Sequence, residues 1–134
     1  MYQQRRKIDY AKEPHGEISL EWQDDILIIN AQGPFNPEGI LLASKHFQEC
    51  VENREHKSWV RLDISDQETL GEPFVINEIA KGYVWGFKNG CRAMALVYCN
   101  SLQKILCEKF IEENTLNVKL FYNQQDAEEW LATQ

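Results

Sequence analysis

Asp63, Asp66, Glu68 and Glu72 form the densest group of side chains in this sequence able to do chemistry. Carboxylates this close can share a divalent cation, which takes hard oxygen ligands, or offer a phosphoacceptor. Phosphoacceptor chemistry also requires an acidic pair after an earlier strand and a late lysine. The segment GPFNPEG (33–39) supplies one carboxylate only. A solvated acidic loop accounts for the cluster more simply. The stretch is kept as the place to look for a partner or ligand, with Ser65, Asp66, Thr69 and Glu72 as candidate contacts.

His46 and Cys50 stand four apart and could present two metal ligands from one helical face. Cys50 already belongs to an apolar stripe, and neither His15 nor His56 stands at a spacing that completes a site. No zinc centre is expected. The chain has no G-x-S-x-G elbow, no P-loop and no G-x-G-x-x-G turn. Without an acid–base or nucleophile set, the expectation is a protein that is not an enzyme and carries no cofactor. Cys50, Cys91, Cys99 and Cys107 form no C-x-x-C pair, and each lies within an apolar pattern, the habit of a small buried hydrophobe. That usage, with a polar N-terminus (MYQQRRKIDY), points to the reducing cytoplasm.

Among the apolar residues, KGYVWGFKNG (81–90) stands out. One helix cannot turn all of its bulky positions inward, because Trp85 lies about 200° round from Tyr83. With Tyr83 and Phe87 toward a sheet, Trp85 falls outward or sideways, where an exposed indole would anchor a partner or a second copy. Gly82, Gly86 and Gly90 recur every four residues and either make room for the protein's own sheet or mark a loosened last turn.

These groups need elements to hold them. EISLEWQ (17–23) alternates, which puts Ile18, Leu20 and Trp22 on one strand face. DILIINAQG (25–33) follows a break at Asp24 and Asp25, so the pair predicts an antiparallel hairpin. Asn36 caps and Pro37 opens a helix with Ile40, Ala43, Phe47, Cys50 and Val51 on one face. SWVRLDIS (58–65) is a strand with Trp59, Arg61 and Asp63 on one side and Val60, Leu62 and Ile64 on the other. A second helix, from Pro73 to about Asn89, buries Ile76, Ile79, Ala80, Tyr83 and Phe87.

RAMALVYC (92–99) has the continuous apolar character of a central strand covered on both faces. Ser101 caps a third helix that buries Leu102, Ile105, Leu106 and Phe110. NVKLFYN (117–123) is a fifth strand, and a final helix turns Ala127, Trp130 and Leu131 inward. The least accessible residues are expected to include Ile28, Val60, Leu62, Ala95, Leu96, Val97 and Leu120. The order β-β-α-β-α-β-α-β-α predicts an α/β fold, with helices packed on a mixed, mostly parallel five-stranded sheet and right-handed crossovers.

A chain of 134 residues with 43% hydrophobic side chains builds one core. Residues 1–16 read as a flexible basic leader and residues 17–134 as a single domain. The net charge is -7, and because the first twelve residues are basic the remainder is more acidic still. Such a body repels a phosphate backbone, so nucleic acid is not an expected partner. No apolar run suits a membrane span.

The element order resembles the STAS domain, in particular its stand-alone SpoIIAA-like branch. The resemblance covers residues 17–132 and rests on the opening hairpin with GPFN, the VRLDIS strand, the RAMALVY strand and the closing FYNQQDAEEWL. In the phospho-switched members, a strand ending in Asp-aliphatic-Ser leads to a turn whose serine opens the second helix and is phosphorylated. Asp63-Ile64-Ser65 matches the strand end, but the turn reads DQETLGEP (66–73), with Glu72 near the place of the switch serine. The resemblance therefore implies the fold without the switch. The expected function is a non-enzymatic cytoplasmic module that binds a protein partner or itself. The alternative is a carrier or sensor of a small apolar ligand lodged between the second and third helices and the sheet.

Overall fold

The computed structural model describes residues 12–134. Of the leader read over residues 1–16, residues 1–11 lie outside the described residues. Its last residues are tied to the domain: His15 N–H donates to Asn36 Oδ1 at 2.8 Å, and Asn36 Nδ2 donates to the Glu13 carbonyl at 3.0 Å.

β1 (Glu17–Gln23) and β2 (Ile26–Gln32) pair antiparallel with Gln23 opposite Ile26. The two-residue turn places Asp24 at φ 54°, a left-handed conformation that Asp tolerates better than most residues. Then come α1 (Pro37–Glu52), β3 (Trp59–Ser65), α2 (Pro73–Lys88), β4 (Cys91–Val97), α3 (Ser101–Asn114), β5 (Val118–Phe121) and α4 (Gln124–Leu131). The sheet order is β1-β2-β3-β4-β5, with every pair after the hairpin parallel. The α/β architecture and element order are those the sequence predicts.

Strands that follow one another in a single direction across the sheet force their right-handed crossovers onto one face. α1, α2 and α3 therefore share that face, packing on Leu27, Ile29, Trp59, Met94 and Leu96. α4 covers the other, closing Ala127 and Leu131 over Ile28, Val60, Leu62, Ala93 and Ala95. Burial of such side chains, at about 1.5–3 kcal/mol for each large apolar one, is the main force holding the layers together. Gly90, at φ 102°, turns the chain from α2 into β4; a Cβ there would stand 1.6 Å from the Lys57 carbonyl oxygen.

Local readings need correction in three places. Asn100, not Ser101, caps α3, its Oδ1 accepting from Gln103 N–H at 3.0 Å. Leu102 and Ile105 are 63% and 61% exposed, whereas Gln103 is buried. The apolar residues of α3 extend round the helix, so periodicity does not single out one face. In α2 the fully buried residue of the first turns is Val75, with Ile76 only half-buried. Leu120 is half-buried because β5 is a short edge strand with a neighbour on one side only.

Candidate functional site

β3 is the middle strand, so both of its faces are covered and a charge on either must be held inside. Arg61 and Asp63 are two apart and so point the same way. Arg61 Nε donates to Asp63 Oδ1 at 2.6 Å and Arg61 Nη2 donates to Oδ2 at 2.9 Å. Both residues are 8% exposed. The guanidinium carbon sits 4.6 Å from the Phe47 ring centre and 5.0 Å from that of Tyr83, the geometry of a cation held by aromatic faces.

Burial opposes the charge on Arg61, but the Asp63 carboxylate outweighs it and holds the guanidinium above its ordinary pKa. Burial, reinforced by Asp63, raises the Tyr83 phenol well above its usual value and keeps it neutral. A buried ion pair contributes little net stability compared with apolar residues of similar volume, because desolvation cancels most of the attraction. A pair of this kind beside a cavity is a candidate for function.

The cavity lies beneath α2, between α1, α3 and the C-terminal halves of β2 and β3, and encloses about 80 Å³. A cavity of roughly 150 Å³ takes benzene and one of about 10–15 Å³ a single water, so this one has room for a small organic group. Ile29, Ala43, Phe47, Ile79 and Leu96 make its apolar wall, and Arg61, Asp63, Ser65 and Gln103 bring polar groups to it. Gly82 also borders the space, and a Cβ built there meets nothing within 4 Å. Burial pushes the Cys107 thiol, another bordering group, up to about 11. Glu78 reaches the edge of the site and pairs with Lys81 at 2.9 Å.

The acidic residues after β3 do not converge. Asp63 turns under the helices to Arg61, while Asp66 is consumed by its own loop. The Asp66 carboxylate accepts from Gly33 N–H at 3.1 Å, from Glu68 N–H at 3.0 Å and from the Thr69 hydroxyl at 2.8 Å. Gly33 allows this approach, since a Cβ there would lie 2.1 Å from the Glu68 carbonyl oxygen. Thr69 is 5% exposed, its hydroxyl also accepting from Asp66 N–H at 3.1 Å. Glu72 caps α2 through its backbone position, with no side-chain cap bond. Among the described residues, no three His, Cys, Asp or Glu side chains are grouped so as to hold a metal ion.

Asp66 and Thr69 are thus internal fastenings of the loop, and of the loop candidates Ser65 and Thr69 border the cavity. Trp85, the remaining candidate contact, turns sideways to α1. It is half-buried and meets Phe47 edge-on, with ring centres 5.4 Å apart. Gly86 stands where a Cβ would be 3.5 Å from Trp59 and 3.7 Å from Phe47, so this glycine faces the protein's own core.

Sequence reasoning missed Gln103 and the meaning of Arg61. The usable sign was a pair of opposite charges at i and i+2 on a strand flanked by crossovers on both sides, where neither face is open to water. Gln103 carried no such sign, because a lone glutamine among charged residues on a helix reads as surface.

No protein-family model and no curated protein matches this chain. Solved structures that share its arrangement include the following two. An uncharacterised DUF3478-family protein with a SpoIIAA-like fold, from Shewanella loihica PV-4, aligns with a TM-score of 0.58 at 15% identity, covering 90% of this chain and 96% of that one. TM1081, solved by NMR, aligns with a TM-score of 0.62 at 18% identity, covering 98% of this chain and all of that one (100%). Likeness at these identities shows the fold, which is SpoIIAA-like.

Proposed function

We propose that this protein is a non-enzymatic cytoplasmic binding module that holds a small, largely apolar ligand as a carrier or sensor. The observation that carries this reading is the cavity beside the Arg61–Asp63 pair, walled by all three helices of one face. A ligand there touches α1, α2 and α3 together, so occupancy would change how firmly they sit on the sheet. No membrane role is included; among the described residues no helix is long and apolar enough to cross a bilayer.

Gly82→Leu tests the reading. The new side chain fills open space beside the cavity, and replacing a helical glycine favours the helix by up to about 1 kcal/mol. Native mass spectrometry of protein taken from its own cells should show an added mass on the wild type that Gly82→Leu lacks, with the melting temperature of the variant maintained. A wild type that carries no added mass, and binds none of a panel of small apolar compounds, would sink the proposal.

Binding of a protein partner or a second copy is the other reading, and the exposed Leu102 and Ile105 on α3 favour it. These residues form an outward apolar pair away from the cavity-facing side, where Gln103 and Cys107 lie.

A further inference from the structure

The guanidinium of Arg61 is only partly satisfied. Its Nε and Nη2 edge is taken by Asp63, but Nη1 is buried and meets no hydrogen-bond acceptor among the described residues. A buried donor without an acceptor is costly, and its presence in a native core calls for an explanation. Arg61 borders the cavity, and the rings on either side of it, Phe47 and Tyr83, border the cavity too. A molecule entering that space comes beside a buried guanidinium that, among the described residues, still has a hydrogen bond to give.

Charge then decides what kind of acceptor suits it. The Arg61 charge is already cancelled by a bidentate carboxylate, and the next ionised group at the edge of the space is the carboxylate of Glu78. An anionic ligand would give up its hydration in a medium of low polarity and find no uncompensated positive charge, since Arg61 is neutralised by Asp63 and Lys81 by Glu78. A cation would find Asp63 occupied. A hydrocarbon would leave Nη1 as it is. We infer that the site takes a neutral molecule with a compact apolar body and one hydrogen-bond acceptor, a carbonyl or ether-type oxygen, which pairs with Arg61 Nη1. This rests on the ligand-binding reading above and adds the polar requirement to it.

Three probes of similar shape separate the possibilities: butanone, 2-methylbut-1-ene and propanoate. Each is titrated into the full-length protein and followed by NMR at the methyl groups of Ile29 and Leu96 and at the Arg61 side-chain N–H signals. The variant Arg61→Met/Asp63→Leu removes both charges together, an exchange that buried pairs often tolerate without loss of fold. Butanone should bind about tenfold more weakly to this variant than to the wild type, the worth of one buried hydrogen bond, while the alkene changes by less than about twofold. Asp63→Asn supplies a second measure, because it keeps the shape and uncovers the Arg61 charge; propanoate, weak on the wild type, should gain at least about tenfold.

Equal losses for ketone and alkene in the double variant, or propanoate outcompeting butanone on the wild type, would overturn the neutral-acceptor inference and leave an apolar ligand site standing. Failure of all three probes to perturb Ile29 or Leu96 in the wild type would instead remove the ligand-binding reading on which it rests. If the double variant does not fold, the propanoate response of Asp63→Asn decides: no gain overturns the inference.

Discussion

Gln103 Nε2 donates to the Asp66 carbonyl at 2.6 Å across 37 positions of sequence, while Gln103 Oε1 accepts from Cys99 N–H at 2.8 Å. One buried amide therefore joins the start of α3, the end of β4 and the loop after β3. Gln103→Leu keeps much of the volume but strands the Asp66 carbonyl and the Cys99 N–H, whose bonds to the amide are part-buried. Leaving a buried group unpaired costs about 1–3 kcal/mol, and partial access to water places these two toward the lower end. Urea denaturation should show a loss in that range, and hydrogen exchange at the Cys99 amide should accelerate more than exchange in β3. An unchanged midpoint would mean water replaces the amide.

Asp66 gives the fold an acid limb. Burial raises its pKa, but hydrogen bonds from the Thr69 hydroxyl and from the N–H groups of Gly33, Glu68 and Thr69 outweigh that and leave it below the ordinary carboxylate value. A carboxyl depressed in the folded state stabilises the protein above its unfolded pKa and ceases to do so as pH falls through the folded one. Stability should therefore decline below the ordinary Asp range, and Asp66→Asn should flatten that part of the curve. Asp25, lowered mainly by its hydrogen bond to Arg92, is more exposed and adds less. Chemical denaturation across acidic pH values checks the difference between wild type and variant.

The loop architecture also bears on modification. Thr69 has its hydroxyl engaged with Asp66 and is nearly inaccessible, and Ser65 faces the cavity from the end of β3. A kinase needs an extended, accessible hydroxyl segment. Phosphopeptide mass spectrometry of protein from its native host should find neither residue stoichiometrically phosphorylated.

The fold was legible in the sequence because each strand declared itself by alternation or by a continuous apolar run, and each helix by a cap or a stripe. The Asn36–Pro37 start of α1 is such a case: Asn36 Oδ1 does accept from Gly39 N–H, at 2.7 Å. The candidate site was legible only in fragments. Alternation put Arg61 and Asp63 on one face, yet their carboxylate was read with the acidic loop, since sequence proximity to Asp66 says nothing about direction. α3 failed for a different reason. A helix at the margin of a sheet gains less from burial, so its apolar residues need not all face inward, and tertiary contacts selected Gln103 instead.

Trp85 supplies the last prediction, and the structure changes its sense. Its ring lies edge-on to Phe47, which in turn packs against Trp59, with ring centres 6.1 Å apart. Complete removal of a buried aromatic costs about 3–5 kcal/mol, and a half-buried one roughly half of that. Trp85→Glu should therefore destabilise the monomer by about 2 kcal/mol and lower the melting temperature, without altering the sedimentation coefficient of the folded fraction. Leu102→Glu/Ile105→Glu should do the reverse, leaving the melt nearly unchanged because both side chains are already in water. If the wild type self-associates, that second variant is the one that should sediment as a monomer. Loss of assembly in Trp85→Glu with a retained melt would move the interface back to α2 and leave the exposed face of α3 without a role.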